Sequence, residues 1–208
     1  RPKDRNLKNK PATSKVALVA ALEAEIRRFD KDQKHGYLAP LDGPQRIRGL
    51  AGSGKTVVLA MKAALTHLRY PDARIAYTFY TKSLYQHVKR LITRFYRQFD
   101  DQDPDWDNLQ LLHAWGGQTN PALYYNACRA LGVRPLTYGD ASRQTKEAFD
   151  FACSDLLSSG RVLPLWDYIF VDEGQDFASS FMQLSLRLAE KGRIVLAYDE
   201  LQTIFHVE

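Results

Sequence analysis

The chain has 208 residues, of which 45% are hydrophobic and 25% are charged. This composition is typical of a folded domain and excludes disordered, collagen-like and coiled-coil proteins. It contains no run of about 18 apolar residues, so we expect no membrane partner. The net charge is +5, but residues 1–10 hold five basic residues against one acidic residue and account for +4 of it. We therefore predict a basic linker or arm over residues 1–13, and the overall charge is a weak indicator of nucleic-acid binding.

In chain order, apolar spacing and turn residues predict a helix over 14–29, a turn-rich stretch over 34–44, a strand over 45–49 and a helix over 57–68. Further strands are predicted over 74–79, 109–113, 168–171 and 193–197, helices over 84–99 and 142–157, and loops over 100–108 and 132–142. Because strands alternate with helices, we predict an α/β fold with a mainly parallel sheet covered by helices on both faces.

Two cysteines, Cys128 and Cys153, are too few for a disulfide framework or a cysteine-based metal cluster. We therefore expect a reducing, cytoplasmic compartment. The chain begins without a methionine and ends shortly after its last predicted strand, so we expect it to be a piece of a longer protein.

A glycine-rich segment follows the first predicted strand. Its sequence, GLAGSGKT at residues 49–56, fits the pattern G-x-x-x-x-G-K-[ST]. In such a loop, backbone N–H groups around Gly49, Gly52, Ser53 and Gly54 cradle phosphates, and the following helix directs its positive end at the same anion. Lys55 would reach the outer phosphates, and the Thr56 hydroxyl would be a ligand of Mg²⁺. The alternative is a glycine-rich turn without a ligand. The pattern favours a nucleotide site.

Two acidic residues, Asp172 and Glu173, follow the apolar segment at residues 168–171. In an open parallel sheet, ligands bind at the carboxyl ends of the strands. Asp172 is placed to hold Mg²⁺, and Glu173 could accept a proton from the water that attacks the terminal phosphate. A solvated strand end is the alternative for an isolated Asp-Glu pair. Together with the glycine-rich loop, the pair favours hydrolysis of a nucleotide.

The string DEGQD at residues 172–176 and the string YDELQTIF at residues 198–205 complete a recognisable set. With the glycine-rich loop, they resemble the UvrD and Rep type of superfamily 1 helicases, in the first of their two RecA-like motor domains. The resemblance implies that Gln175 couples the phosphate site to a nucleic-acid groove and that Gln202 touches the terminal phosphate. It places Asp199 in an aspartate position of the family, with Tyr198 in place of the usual glycine.

Three shorter segments resemble further motifs of this family. The resemblance of residues 30–33 implies that Gln33 reads the adenine edge of ATP. TFYTKS at residues 78–83 and HAWG at residues 113–116 are similar to motifs that line the groove for a single strand. The candidate groove residues are Thr78, Phe79, Tyr80, Lys82, His113 and Trp115. Aromatic faces suit base stacking, and hydroxyl and ammonium groups suit phosphates. The alternative for Phe79 and Trp115 is that both are core residues at strand ends.

The resemblance implies a RecA-like P-loop NTPase domain over residues 14–208, with a reduced helical insertion over 118–165. ATP and Mg²⁺ are then the ligands, single-stranded DNA or RNA is the partner, and a nuclease could be fused or associated. The second motor domain, which supplies arginines to the ATP site, is not in this chain, so we expect the chain alone to bind nucleotide weakly and hydrolyse it poorly. A P-loop ATPase switch or loader that does not translocate is the alternative function. A docking module with a vestigial site is less favoured, because the loop and acidic residues are intact.

Overall fold

The computed structural model describes residues 42–50, 52, 54–117, 120 and 122–199. The predicted helix over 14–29 and the candidate residues Gln33, Ser53 and Gln202 lie outside the described residues. The strands are β1 (Gln45–Gly49), β2 (Ile75–Phe79), β3 (Leu109–His113), β4 (Tyr168–Val171) and β5 (Ile194–Asp199). The helices are α1 (Lys55–Arg69), α2 (Leu84–Tyr96), α3 (Leu123–Ala130), α4 (Tyr138–Ser142), α5 (Ala148–Ser158) and α6 (Ser179–Leu188). Short 3₁₀ turns cover Gly174–Asp176 and Glu190–Gly192.

The described strands form one five-stranded sheet in the order β1-β5-β4-β2-β3, and every pair is parallel. Both faces of the sheet are covered by helices. Tyr77 and Phe170 belong to the cluster that α1 and α2 form on one face, whereas Ile169 and Val171 belong to the cluster that α3, α5 and α6 form on the other. This layering explains why β2 and β4 are buried along their whole length and consist of continuous apolar runs. The predicted α/β architecture with a parallel sheet is confirmed.

The topology creates a crevice at the carboxyl ends of β1, β5 and β4. After β1 the chain enters α1 on the first face, whereas after β4 it enters α6 on the second face. Strand β5 lies between them. Because the chain leaves β1 and β4 toward opposite faces, the loops separate above β5 and leave space for a ligand.

The strand predictions agree closely with the structure, but two predictions in the second half were wrong. The predicted loop over 132–142 contains the helix α4, and the predicted helix over 142–157 begins only at Ala148. Helix α4 is specified by a capping box and not by apolar spacing. The Thr137 hydroxyl accepts a hydrogen bond from the Asp140 N–H at 3.1 Å, and the Asp140 carboxylate accepts one from the Thr137 N–H at 3.2 Å.

None of the described helices has the length and apolar character required to cross a membrane.

The two cysteines lie in the layer on the second face of the sheet and give a first prediction. Cys128 on α3 and Cys153 on α5 are completely buried free thiols. Burial raises the pKa of Cys128 to about 11 and also raises the pKa of Cys153. Since the thiolate is the reactive form, we expect both to resist iodoacetamide at about pH 8 in the native protein and to react rapidly in denaturant. Mass spectrometry of the alkylated protein measures this, and fast native alkylation of either cysteine would contradict its burial.

Candidate functional site

A cleft of about 270 Å³ lies at the carboxyl ends of β1, β5 and β4, beside the start of α1. It brings together most residues that were predicted to bind phosphate, metal or the attacking water. Those that line it are Gly52, Gly54, Lys55, Thr56, Asp172, Glu173 and Gln175. Gly49 is the last residue of β1 and carries the chain toward the cleft. Segments more than a hundred residues apart in the sequence therefore converge on one small volume.

The loop between β1 and α1 reaches the cleft through left-handed glycines. Gly52 has φ 77° and Gly54 has φ 89°. This conformation is accessible to glycine at little cost and is unfavourable for residues with a Cβ. Gly54 is the N-cap of the 15-residue helix α1. The first N–H groups and the positive end of the helix dipole are therefore available to an anion in the cleft.

The Lys55 ammonium lies inside the loop. Its Nζ donates hydrogen bonds to the carbonyl oxygens of Gly49 and Leu50, both at 2.8 Å. It also lies 4.0 Å from the carboxylate of Asp199, a buried residue at the end of β5. An anion that enters the cleft can replace the carbonyl oxygens as acceptor, since the ammonium has three donors on a flexible stem.

The Asp172 carboxylate is only 1% exposed and has hydrogen-bond partners on both oxygens. Its Oδ1 accepts from the Thr56 hydroxyl at 3.2 Å and from the Glu173 N–H at 3.1 Å. Its Oδ2 accepts from the Tyr77 hydroxyl at 2.9 Å. Burial raises the pKa of Asp172, whereas the hydrogen bonds from Tyr77 and Thr56 and the charge of Lys55 act in the opposite direction.

Glu173 and Gln175 occupy a tight turn that follows β4. Glu173 has φ 53°, and a left-handed backbone is uncommon for a residue other than glycine. The cost of such a conformation is of order 1–3 kcal/mol, and residues of this kind concentrate at functional sites. The Gln175 Oε1 accepts a hydrogen bond from the backbone N–H of Asp199 at 3.0 Å. This bond ties the turn after β4 to the end of β5.

The charges around the cleft favour a ligand that includes a divalent cation. Lys55 faces the carboxylates of Asp172, Glu173 and Asp199 across the same small volume. A polyphosphate entering alone would meet more negative than positive charge. The Thr56 hydroxyl and the Asp172 carboxylate are oxygen ligands of the kind Mg²⁺ takes. Their oxygens are 3.2 Å apart, close to the roughly 3 Å between two adjacent ligands of one octahedral Mg²⁺. Within the described residues, no group of three or more His, Cys, Asp or Glu side chains could hold a metal ion.

Two of the predicted groove residues are core residues. Thr78 and Phe79 are 0% and 1% exposed. They are the last residues of β2, a strand that is covered on both faces, and Phe79 packs in the cluster beneath α1 and α2. The prediction that these side chains contact a nucleic acid was therefore wrong, and the alternative of a strand-end core residue is confirmed for Phe79.

The remaining groove candidates lie just beyond the strand ends. Tyr80 is 48% exposed and Lys82 is exposed. The ring of His113 lies 6.4 Å from that of Tyr80, and its Nδ1 accepts a hydrogen bond from the Gly116 N–H at 3.2 Å. Burial lowers the pKa of His113. Trp115 is only partly exposed: its ring stacks on Phe149 at 5.0 Å, and its Nε1 donates to the Leu136 carbonyl oxygen at 3.2 Å. Tyr80 and Lys82 are the most accessible of the set.

Gly116 lies in the turn that follows His113, the last residue of β3. Its backbone leads to a second prediction. It has φ 70°, and an added Cβ would collide with the Cβ of Ala122 and lie 2.9 Å from the Asn120 carbonyl oxygen. Gly132 has a similar φ of 66° but open space around it. We expect Gly132→Ala to reduce the free energy of unfolding by about 1 kcal/mol through backbone strain alone. Gly116→Ala should cost about 1–3 kcal/mol more, because the clash is added to the strain. Urea denaturation of both variants measures the difference, and equal losses would contradict the packing of this turn.

Four residues at or beside the cleft were not singled out as candidate site residues from the sequence. Val57 on α1 and Leu84 and His87 in the first turns of α2 line the cleft, and the Tyr77 hydroxyl donates a hydrogen bond to the Asp172 carboxylate. The position of His87 shortly after the TFYTKS segment was a usable signal, because α2 starts at the same sheet edge. Tyr77 gave no signal, since it occurs within an apolar strand.

No protein-family model matches the chain, and no curated protein matches it at a significant level.

Proposed function

We propose that this chain is the ATP-binding half of a superfamily 1 DNA helicase or translocase, with a RecA-like P-loop architecture. The observation that carries the proposal is the hydrogen bond between Thr56 and Asp172, residues 116 positions apart in the sequence. The glycine-rich loop and the acidic strand end were identified as separate motifs. Their meeting in one cleft beside Lys55 supports a single site for a nucleotide and Mg²⁺.

The cleft offers a place for each phosphate-binding function. The amides at the start of α1 and the Lys55 ammonium would hold the phosphates of ATP. Thr56 and Asp172 would hold Mg²⁺, which neutralises charge on the phosphates when bound. Glu173 would accept a proton from the water whose oxygen attacks the terminal phosphorus, with ADP as the leaving group. By the resemblance, Gln33 would contact the adenine and Gln202 the terminal phosphate.

Gln175 connects the turn at the proposed phosphate site to the end of β5. Its hydrogen bond to the Asp199 N–H joins the turn that carries Glu173 to the strand that leads to Gln202. A change in the terminal phosphate at Glu173 could therefore move the end of β5. This link supports a motor, in which the nucleotide state must be transmitted to a groove and to a second motor domain of the same parent chain.

The nucleic-acid side of the proposal rests on Tyr80, Lys82 and His113 at the same edge of the sheet. Tyr80 offers an exposed ring for stacking, and Lys82 offers a charge for a phosphate. Single-stranded DNA is the proposed partner, and single-stranded RNA is the alternative. The burial of Thr78 and Phe79 leaves fewer groove contacts. This observation favours the second candidate, a P-loop ATPase switch or loader without translocation.

The deciding experiment is ATP hydrolysis by the full-length protein with single-stranded DNA, duplex DNA, single-stranded RNA or no nucleic acid. Salt must be constant, because phosphate contacts make binding steeply salt-dependent. We expect single strands to stimulate turnover many-fold and Lys82→Ala with Tyr80→Ala to reduce that stimulation. A rate that no nucleic acid changes would overturn the motor and favour the switch.

A further inference from the structure

The Asp172 carboxylate accepts a hydrogen bond from a tyrosine hydroxyl within the buried core. Asp172 is the first residue after β4, and Tyr77 is in the middle of the adjacent strand β2. The Tyr77 side chain is completely buried, yet its hydroxyl reaches the Asp172 Oδ2 at 2.9 Å. A buried hydroxyl in an apolar layer is costly unless it is hydrogen-bonded. This hydroxyl has the carboxylate as its partner.

The Tyr77 ring is held in place by the aromatic layer around it. It stacks on Phe170 with the ring planes 13° apart and the centroids at 6.4 Å, and its centroid lies 6.5 Å from that of Phe79. Both neighbours are as buried as Tyr77. Because close-packed rings leave little room for another rotamer, the direction of the hydroxyl is set by the core.

The two oxygens of Asp172 are therefore divided between two tasks. The hydroxyl of Tyr77 occupies Oδ2 on the core side, whereas Oδ1 receives the Thr56 hydroxyl on the side of the cleft. The terminal torsion of an aspartate is broad and roughly two-fold. Without a donor on Oδ2, the carboxylate could rotate and leave a buried oxygen unpaired.

We infer that Tyr77 is a positioning residue that orients Asp172 so that Oδ1 faces Thr56 and the bound magnesium nucleotide. The inference rests on the proposed function, because it assigns the orientation of a residue that would hold Mg²⁺. Residues that hydrogen-bond to metal ligands orient them, and their loss typically weakens metal affinity by about 10–100-fold. Tyr77 does not itself touch the nucleotide or the metal.

The test compares the affinity for the non-hydrolysable analogue AMP-PNP in excess Mg²⁺ with its affinity in EDTA, both by calorimetry. The ratio of the two affinities measures the contribution of the metal. We expect Tyr77→Phe to lower this ratio by about tenfold, with the affinity in EDTA unchanged. Tyr124→Phe is the matched control, because it removes another buried hydroxyl, whose partner is the Leu136 N–H at 3.1 Å on the opposite face of the sheet. The control should leave the ratio unchanged.

A general loss of structure would lower both affinities and leave their ratio unaltered. AMP-PNP stabilises the folded state, so a Tyr77→Phe chain that is only partly folded can still be titrated. The Mg²⁺ dependence of Asp172→Asn and of the double variant provides a second measurement. If Tyr77 acts through Asp172, adding Tyr77→Phe to Asp172→Asn should not lower the ratio further. An unchanged ratio in Tyr77→Phe, with AMP-PNP bound normally by the wild type, would overturn the positioning role and leave the proposed function standing. A full-length wild-type protein that binds no nucleotide would overturn both.

Discussion

Lys55→Ala is expected to abolish binding of ATP and ADP while the fold remains intact. The ammonium is the positive side chain within the predicted phosphate loop, and its Nζ lies beside the carbonyl oxygens of Gly49 and Leu50. Charge-assisted hydrogen bonds contribute about 1.5–3 kcal/mol each, so losing two of them to phosphate oxygens weakens binding by roughly 100-fold or more. Calorimetry with ADP and Mg²⁺ measures the affinity, and circular dichroism with thermal unfolding checks the fold.

Lys62→Ala is the matched control for this substitution. Lys62 is on the same helix, and its Nζ donates to the Gln45 side chain at 2.7 Å, away from the cleft. We expect this variant to lose a little stability and to keep its nucleotide affinity. An affinity in Lys55→Ala equal to that of the wild type would overturn the assignment of the site, since no other described lysine lines the cleft.

Glu173→Gln in the full-length protein is expected to preserve nucleotide binding and to stop turnover. Glutamine has nearly the same shape and fits the left-handed backbone no worse, but it cannot take a proton from water. Loss of a general base lowers kcat by about 10²–10⁴-fold. Steady-state ATP hydrolysis in the presence of single-stranded DNA measures kcat, and AMP-PNP titration measures binding.

Glu190→Gln serves as the control, because it removes a glutamate carboxylate far from the cleft. Glu190 lies in the 3₁₀ turn before β5, at the amino ends of the strands, whereas the cleft lies at their carboxyl ends. The Glu190→Gln variant should hydrolyse ATP at the wild-type rate. Persistent turnover in Glu173→Gln would mean that another group activates the water. Loss of binding in this variant would instead assign Glu173 to holding the nucleotide.

Local patterns were sufficient for the framework. Strands β1, β3 and β4 have the bounds predicted from apolar runs and turn residues, and β2 and β5 differ by one or two residues at their ends. A buried parallel strand is a short apolar run between loops, so its first and last residues can be predicted from the sequence. The glycine pattern and the Asp172–Glu173 pair were likewise visible, because each occupies adjacent positions in the chain.

By itself, then, the sequence determined the positions of the strands, the glycine-rich loop and the acids at the end of β4. Only the tertiary structure decided that Thr78 and Phe79 are covered by helices, that Tyr77 meets Asp172, and that His87 faces the cleft. Each of these depends on which strands are neighbours and on which face a helix packs. Such contacts join residues distant in sequence, whereas periodicity reports only on neighbours along the chain. The partners of a functional side chain are therefore fixed by strand order and by the layers on each face of the sheet.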